Sequence, residues 1–176
     1  MSARRINGIK WAKQLAGRPG CIPEVKRATG ARAQGLRYEK DLEKGLATRF
    51  ERGAWWEFED REGKGYCQTD FWAGAREWVI ILEVKLSWCE EAEDQLFGLY
   101  CPVLSKALDV PWKRLLPVVV CRNLTRGLDR PIASSLQEAL RAVRRADNWI
   151  TGAPVWHHVG GVPLLKVEGC EQLRVA

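Results

Sequence analysis

Three ionisable side chains near the middle of the chain have the types and spacing of a hydrolytic metal site. Glu83 and Lys85 lie two residues apart near the end of an apolar run, residues 78–86, and Asp70 precedes Glu83 by thirteen residues. Side chains alternate between the two faces of a strand, so Glu83 and Lys85 would project from the same face. Two carboxylates can hold a divalent cation, and a lysine beside them can orient or polarise an attacking water.

The segments around Asp70 predict how it reaches the other two side chains. Residues 66–73 have the composition of a strand and carry Asp70, and the run 78–86 is the next strand. The spacer 74–77 is short enough for a hairpin, which would bring Asp70 beside Glu83. The alternative is structural: Glu83 and Lys85 would be an exposed pair on an edge strand, and Asp70 a solvated turn residue.

Hydrophobic periodicity predicts an alternation of helices and strands around this strand pair. The first helix carries an apolar stripe of Tyr38, Leu42 and Leu46, and we expect Gly53 to end it. Pro102 should kink or split the second helix. The predicted helices are 36–52, 90–108 and 133–147. The predicted strands are 54–58, 66–73, 78–86, 115–121, 155–158 and 164–167.

The positive charge of the chain is concentrated at its start. The formal net charge is +6, whereas the first 34 residues alone carry +7. We therefore divide the chain into a basic N-terminal arm, residues 1–34, and a domain, residues 35–176. The arm suits phosphate binding, although it could also be a solubilising or poorly ordered terminus. Its candidate nucleic-acid-binding residues are Arg4, Arg5, Lys10 and Lys13.

A second basic cluster lies on the predicted helix 133–147. Arg141, Arg144 and Arg145 are at helical spacing, so one face of the helix could follow a DNA backbone. The alternative is an ordinary solvated helix face.

The central acidic and basic residues resemble the motifs of the PD-(D/E)XK nuclease superfamily, which includes restriction enzymes, phage exonucleases and Holliday junction resolvases. Asp70 matches the first acidic position of the family, and Glu83 with Lys85 matches the second motif. Thr69 stands where the motif has its proline.

Two further segments carry the same resemblance. Residues 35–42 (GLRYEKDL) are similar to the opening helix of the family, in which a Glu after an aromatic residue faces the site. The segment QLFGLY, beginning at Gln95, is similar to a Gln-containing motif of several exonuclease and resolvase branches. The resemblance covers about residues 35–108. It implies an α/β fold with a restriction-endonuclease-like αβββαβ core, in which helices flank a mixed central sheet.

The resemblance also implies a metal site. Asp70, Glu83 and the main-chain oxygen of Val84 would bind Mg²⁺ or Mn²⁺, and Lys85 would position the attacking water. Glu39 would reach the metal through a water molecule or hold a second ion.

Two further roles are implied by the same resemblance. Glu43 is the rival of Glu39, because residues four apart share one helix face. Gln95 would orient Lys85 or contact the substrate, although a surface polar residue is the alternative. The expected catalytic residues are Glu39, Asp70, Glu83, Lys85 and Gln95.

The implied activity is that of a Mg²⁺-dependent deoxyribonuclease. The closest likeness is to Holliday junction resolvases and phage endonucleases, which implies internal cleavage of DNA, selectivity for branched DNA and a homodimer with two active sites. One alternative is a phage-type DNA exonuclease. Another is a non-cleaving, nucleic-acid-binding subunit of a recombination or defence complex.

Other features bear on location and on metals. No run of residues approaches the length of a membrane span, and the N-terminus lacks the apolar core of a secretory signal, so no membrane partner is expected. The six cysteines form no C-x-x-C pair and are interpreted as reduced thiols. We therefore expect a cytoplasmic protein, or one in the host cytoplasm if phage-encoded. His157 and His158 are interpreted as structural or surface residues, not zinc ligands.

Overall fold

The computed structural model describes residues 6, 8–23, 28–46, 49–75, 78–124, 128–129, 131–145 and 152–158. Within these residues the helices are α1 (Gly30–Leu46), α2 (Glu90–Gln95), a π-helix (Leu96–Tyr100), α3 (Cys101–Ala107), a 3₁₀-helix (Trp112–Arg114) and α4 (Leu136–Arg145). The strands are β1 (Trp11–Leu15), β2 (Glu51–Arg52), β3 (Trp55–Asp60), β4 (Gly63–Gln68), β5 (Phe71–Ala75), β6 (Trp78–Ser87), β7 (Leu115–Asn123), β8 (Ile132–Ala133) and β9 (Val155–His157).

The strands form two sheets. The large sheet has six strands in the order β2-β5-β6-β7-β9-β8, and the small sheet has three in the order β1-β3-β4. In the large sheet β2, β5 and β6 are antiparallel neighbours, whereas β6, β7, β9 and β8 are paired in parallel. The chain therefore has an α/β fold with a mixed central sheet.

Helices pack on both faces of the large sheet. On one face lie α1 and α4, which bury Leu42, Leu46, Ala139 and Val143 against alternate residues of the central strands. The other face is covered by α2, the π-helix, α3 and the small sheet. The central parts of β6 and β7 are apolar on both sides, as expected for strands that are buried on both faces of an α/β sheet.

The first helix ends earlier than predicted. Helix α1 ends at Leu46, not at residue 52, and Phe50 is buried outside it. The physical reason is pairing: Glu51 and Arg52 form β2, which lies against the start of β5. Gly53, with φ +68°, forms the turn after β2 and does not end the helix.

The predicted strand 66–73 is two strands in different sheets. β4 ends at Gln68 and β5 begins at Phe71. Thr69, between them, is fully buried, and its N–H donates to the carbonyl of Ala54 at 3.0 Å. The chain therefore turns from one sheet into the other at Thr69 and Asp70, which the strand-like composition of the segment concealed.

The predicted helix 90–108 is three consecutive segments. The segments are α2, the π-helix and α3, and Pro102 lies in the first turn of α3. Because proline has no N–H to donate to the preceding turn, the regular α-helical ladder is interrupted on its N-terminal side. The break is therefore centred a few residues before the predicted position.

The region assigned to the arm contains regular structure. Trp11–Leu15 form β1, which pairs with β3, and α1 begins at Gly30, so the predicted boundary at residue 34 falls inside a helix. Cross-strand contacts between β1 and β3 hold this segment against the small sheet. No described helix is both long and apolar enough to cross a bilayer.

The C-terminal part differs from prediction in its details. The fourth predicted strand extends to Asn123, and the arginine-bearing helix spans Leu136–Arg145, not residues 133–147. Ile132–Ala133 form a short strand beside β9, so these residues cannot begin the helix. The predicted strand 164–167 lies outside the described residues.

Candidate active site

Asp70 lies where the chain passes from the small sheet to the large one. The N–H of Gly53 donates to its carbonyl at 3.0 Å. Its side chain takes the place of one further rung of the β5–β6 ladder, because Oδ2 accepts the N–H of Val84 at 2.7 Å. β5 supplies no backbone acceptor for the N–H of Val84, because its pairing with β6 ends at Phe71 and Leu82. The hydrogen bond from this N–H therefore fixes the Asp70 carboxylate against β6.

Glu83 and Lys85 lie beside this carboxylate. The hairpin register pairs Phe71 with Leu82, so Asp70 is opposite Glu83. Glu83 is 1% exposed, and its Oε1 lies 2.6 Å from Nζ of Lys85. The other oxygen, Oε2, is buried without a hydrogen-bond partner among the described residues. Since β6 lies between β5 and β7, the alternative of an exposed pair on an edge strand is wrong.

Burial disfavours the ionised form of both carboxyl groups, and the charge of Glu83 adds to this effect at Asp70. Burial raises the pKa of Asp70 well above its ordinary value, and the charges of Glu83 and Glu39 raise it further. Burial also raises the pKa of Glu83, against the opposing effect of Lys85. A divalent cation would remove this repulsion. Together with the unpartnered Oε2 of Glu83, this pair of oxygen donors fits a hard cation such as Mg²⁺ or Mn²⁺.

The main-chain oxygen of Val84 faces the same side. In a strand the N–H and C=O of one residue point toward the same neighbour. Because the Val84 N–H points at Asp70, its carbonyl also points toward the side of β5, beyond the last paired residue of that strand. In the part of the chain that the structure describes, no three His, Cys, Asp or Glu side chains form a ready-made metal-binding group. The candidate ligands are two carboxylates and this carbonyl.

Lys85 is held between two acceptors. Its Nζ donates to Oε1 of Gln95 at 2.7 Å in addition to its contact with Glu83. Burial by itself would lower the pKa of Lys85, but the charges of Glu83 and Asp70 outweigh it and the pKa is raised. The ammonium is therefore charged at neutral pH. Gln95 is the last residue of α2, the first segment of the predicted helix 90–108.

Glu39 and Glu43 both line the approach to Asp70. Arg52 links them, since its guanidinium donates to Oε2 of Glu43 at 2.7 Å and to Oε2 of Glu39 at 3.4 Å. The charge of Glu39 raises the pKa of both Asp70 and Glu83, which places it near them. Of the two rivals, Glu43 makes the shorter ion pair with Arg52, and Glu39 lies closer to the carboxyl pair.

A cleft of about 320 Å³ opens at Asp70. It runs between the middle of α1 and the end of the small sheet, and the side chain of Asp70 is half-buried at its inner end. The lining residues are Leu36, Glu39, Glu43, Arg52, Gly53, Gln68, Thr69 and Asp70. Glu83 lies deeper, so a cation or substrate would reach the carboxyl pair from this side.

Tyr100 lies beside the carboxyl pair, although it was not among the expected catalytic residues. It is 4% exposed; burial raises its pKa, and the charges of Glu83 and Asp70 raise it further, so the hydroxyl stays protonated. Its place is explained by the π-helix, whose wider turn brings residues five apart closer to one face than an α-helix does. Gln95 and Tyr100 are five apart. The sequence contains this tyrosine in the segment QLFGLY, but α-helical spacing would place it on a different helix face from Gln95.

The described members of the predicted nucleic-acid-binding set lie on different elements. Lys10 and Lys13 form ion pairs with Glu59 and Glu57 on the small sheet. Arg141 is exposed on α4. Arg4, Arg5 and the side chain of Arg145 lie outside the described residues.

Arg144 lies far from the carboxyl pair. Its guanidinium is 5.0 Å from the ring of Trp78, the first residue of β6. Glu83 is five residues further along that strand, or about 17 Å at roughly 3.3 Å per residue. The structure therefore does not bring Arg144 to the candidate site.

The two histidines have different surroundings. The Nε2 of His157 is 3.1 Å from the carbonyl oxygen of Arg122, to which it can only donate. His158 is buried; its ring lies beside those of Tyr38 and Trp156, and burial lowers its pKa. Both positions are consistent with the structural interpretation made from the sequence.

The comparisons with known proteins were negative. The chain matches no protein-family model, no curated protein and no solved structure with which it was compared. The function of the chain must therefore be inferred from its motifs and from the geometry of the carboxyl pair and its neighbours.

Proposed function

We propose that this protein is a metal-dependent deoxyribonuclease with a restriction-endonuclease-like core, of the PD-(D/E)XK type. One observation carries the proposal: the buried, incompletely bonded carboxyl group of Glu83 faces Asp70 while Lys85 contacts it from the same strand. Two ionised carboxylates buried beside the single ammonium of Lys85 leave one negative charge uncompensated, which costs free energy unless a further cation binds. A purely structural role gives no reason for that arrangement.

Each residue has a role that its contacts support. Asp70, Glu83 and the Val84 carbonyl would hold Mg²⁺ or Mn²⁺, with Glu39 outside this set on the cleft side. A bound divalent ion would supply an acidified water and neutralise charge on the phosphate. Lys85, kept charged and aimed by Gln95, would orient the nucleophile and stabilise the charge that develops on the phosphoryl oxygens.

The proposed substrate is DNA cut at internal phosphodiester bonds, with branched DNA as the preferred form. Support for internal cutting and for DNA comes from the sequence resemblance, as does the expectation of a homodimer.

The test is cleavage with Mg²⁺ or Mn²⁺, comparing the parent with Asp70→Asn and Lys85→Ala. Substrates are supercoiled plasmid, linear duplex, single strand and a four-way junction. Asp41→Asn is the matched control, because Asp41 is an exposed residue of α1 that pairs with Lys44 at the surface. We expect each site variant to lower the rate by at least about 100-fold, and the control to cut like the parent.

The substrates separate the outcomes. Nicked plasmid or symmetric cutting of the junction would support an endonuclease, and progressive loss of linear DNA alone would indicate an exonuclease. If Asp70→Asn cuts as fast as the parent, the site assignment is wrong. If the parent cuts no substrate with either metal, the proposed activity is wrong.

A further inference from the structure

The outer face of the small sheet brings aromatic and basic side chains together. Alternate residues of its three strands share this face, as the pairing of Lys13 with Glu57 and of Glu57 with Tyr66 shows. The opposite face packs Trp56 and Phe58 into the core. The outer face consists of Trp11, Lys13, Leu15, Trp55, Glu57, Glu59, Lys64, Tyr66 and Gln68, and Lys10, just before β1, reaches it through its ion pair with Glu59.

The cations of the outer face lie above its carboxylates. Lys13 and Lys64 both pair with Glu57, whose side chain is 7% exposed, whereas the lysine side chains are 61% and 55% exposed. Lys10 pairs in the same way with Glu59, their side chains being 59% and 34% exposed. Three ammonium groups thus cover two carboxylates. The surface presented to solvent is positive, which suits a phosphate backbone.

Aromatic rings lie between these cations. Trp11 and Tyr66 are half-buried, with Nζ of Lys13 at 5.8 Å from the first ring and Nζ of Lys64 at 5.7 Å from the second. Rings on a sheet surface beside cationic side chains can stack with unpaired bases and bind the intervening phosphates. A duplex offers only its backbone and groove edges, because its bases are stacked on one another.

The outer face is continuous with the candidate site. Trp55 and Gln68 are register partners at one end of the small sheet, and Gln68 also lines the cleft at Asp70. Tyr66 precedes Asp70 by four residues, at most about 13 Å of extended chain. Cys21, in the loop after β1, lies next to Tyr66 and borders the face on another side.

We propose that the outer face binds an unpaired, single-stranded segment of nucleic acid and leads it toward the cleft at Asp70. This inference rests on the proposed function in one respect: the bound single-stranded segment is taken to be part of the DNA that the candidate site cuts. A branched or frayed DNA, in which duplex and unpaired strand meet, is then the substrate form that both surfaces accommodate.

The test is binding of a fluorescently labelled oligodeoxythymidine 12-mer, measured by anisotropy in EDTA at several salt concentrations. The variant is Lys13→Gln with Lys64→Gln. A second version adds Glu57→Gln, so that no unpaired carboxylate is left to destabilise the sheet. The matched control, Lys106→Gln with Lys113→Gln, removes the same charge from exposed positions near the amino end of β7.

We expect both outer-face variants to weaken binding about tenfold, and the salt dependence of log Kd to become shallower by about 0.7 per lysine removed. The control should bind like the parent, and a duplex of equal length should bind less tightly than the single strand. Equal losses in variant and control would overturn the inference, as would tighter binding of the duplex or no binding by the parent.

Cleavage separates this inference from the proposed function. If the parent binds the single strand through the outer face but cuts nothing with Mg²⁺ or Mn²⁺, the inference stands and the nuclease proposal fails. If the parent cuts DNA while the outer-face variants bind and cut like the control, the nuclease proposal stands and the inference fails.

Discussion

At the scale of single residues, the candidate site depends on side chains that position other side chains. Asp70 is fixed by the Val84 N–H, and Lys85 by Glu83 and Gln95. Such contacts restrict each functional group to one geometry before any ligand binds, and preorganisation of this kind is a large part of catalysis.

The contact between Gln95 and Lys85 gives the first prediction. Gln95→Met keeps the volume of the side chain but removes the acceptor, so the ammonium loses one of its two restraints. We expect the cleavage rate to fall about 10- to 100-fold and the free energy of unfolding to fall by no more than about 1–3 kcal/mol. Cleavage and urea denaturation measure the two quantities.

Gln14→Met is the control for this change. Gln14 donates to Glu51 at an exposed site, so its loss should affect neither quantity appreciably. A Gln95→Met variant that cuts like the parent would show that Gln95 does not position Lys85 for the reaction.

At the scale of elements, the small sheet sets where Asp70 lies. Its strands end at the turn from which Asp70 enters the large sheet, so the packing of β3 and β4 determines the geometry of the carboxyl pair. Gly65 shows how tight that packing is, because a Cβ at this position would lie 2.5 Å from Cζ of Phe58, which is 2% exposed.

Gly65→Ala should therefore destabilise the protein. The buried ring cannot move without displacing the core, and overpacking of this kind costs about 1–3 kcal/mol. Gly74→Ala is the matched control, because a Cβ at Gly74 would meet nothing within 4 Å. Denaturation of both variants in urea measures the difference, and equal stabilities would contradict the argument.

The buried carboxylate of the small sheet predicts a pH dependence. Hydrogen bonds from Lys64 and Lys13 lower the pKa of Glu57 to about 2, from 4.5. A carboxyl group with a depressed pKa in the folded state stabilises the protein above the unfolded pKa, and that stabilisation is lost as pH falls from about 4.5 toward 2.

Urea denaturation of the parent and Glu57→Gln between about pH 7 and pH 3 tests this dependence. The parent should be the more stable at neutral pH, and the difference should shrink as the pH falls below about 4.5. A difference that does not change with pH would mean that the ion pairs of Glu57 do not act through its charge.

Sequence patterns identified the elements better than their ends. The run around Glu83 is a strand, and the apolar stripe of α1 is buried as predicted. The transition at Asp70 was missed because composition does not reveal that a strand-like segment changes sheets. Tyr100 was missed because a π-helix has no recognised signature in a single sequence and changes which residues share a face.

At the scale of the whole molecule, the buried carboxyl groups of the candidate site link metal binding to stability. Because the pKa of Asp70 and of Glu83 is raised without a cation, the ionised pair destabilises the folded state. A cation that binds only the folded state offsets this cost by mass action.

We therefore expect Mg²⁺, Mn²⁺ or the non-catalytic Ca²⁺ to raise the melting temperature of the parent. At a concentration about 100 times the Kd the stabilisation is about 2.7 kcal/mol. Asp70→Asn should lose most of the shift, and Asp41→Asn should keep it. An equal shift in all three proteins would place the bound cation elsewhere.

The outermost strands of the large sheet have a consequence for self-association. Both β2 and β8 contain two residues, so in the part of the chain that the structure describes the large sheet presents short rows of backbone donors and acceptors at its margins. Continuation of one sheet into that of a second copy needs longer strands than these. If two copies of the chain assemble into the expected homodimer, the described margins of the large sheet would contribute little to their contact, unlike the five- and six-residue edge strands β1 and β4 of the small sheet.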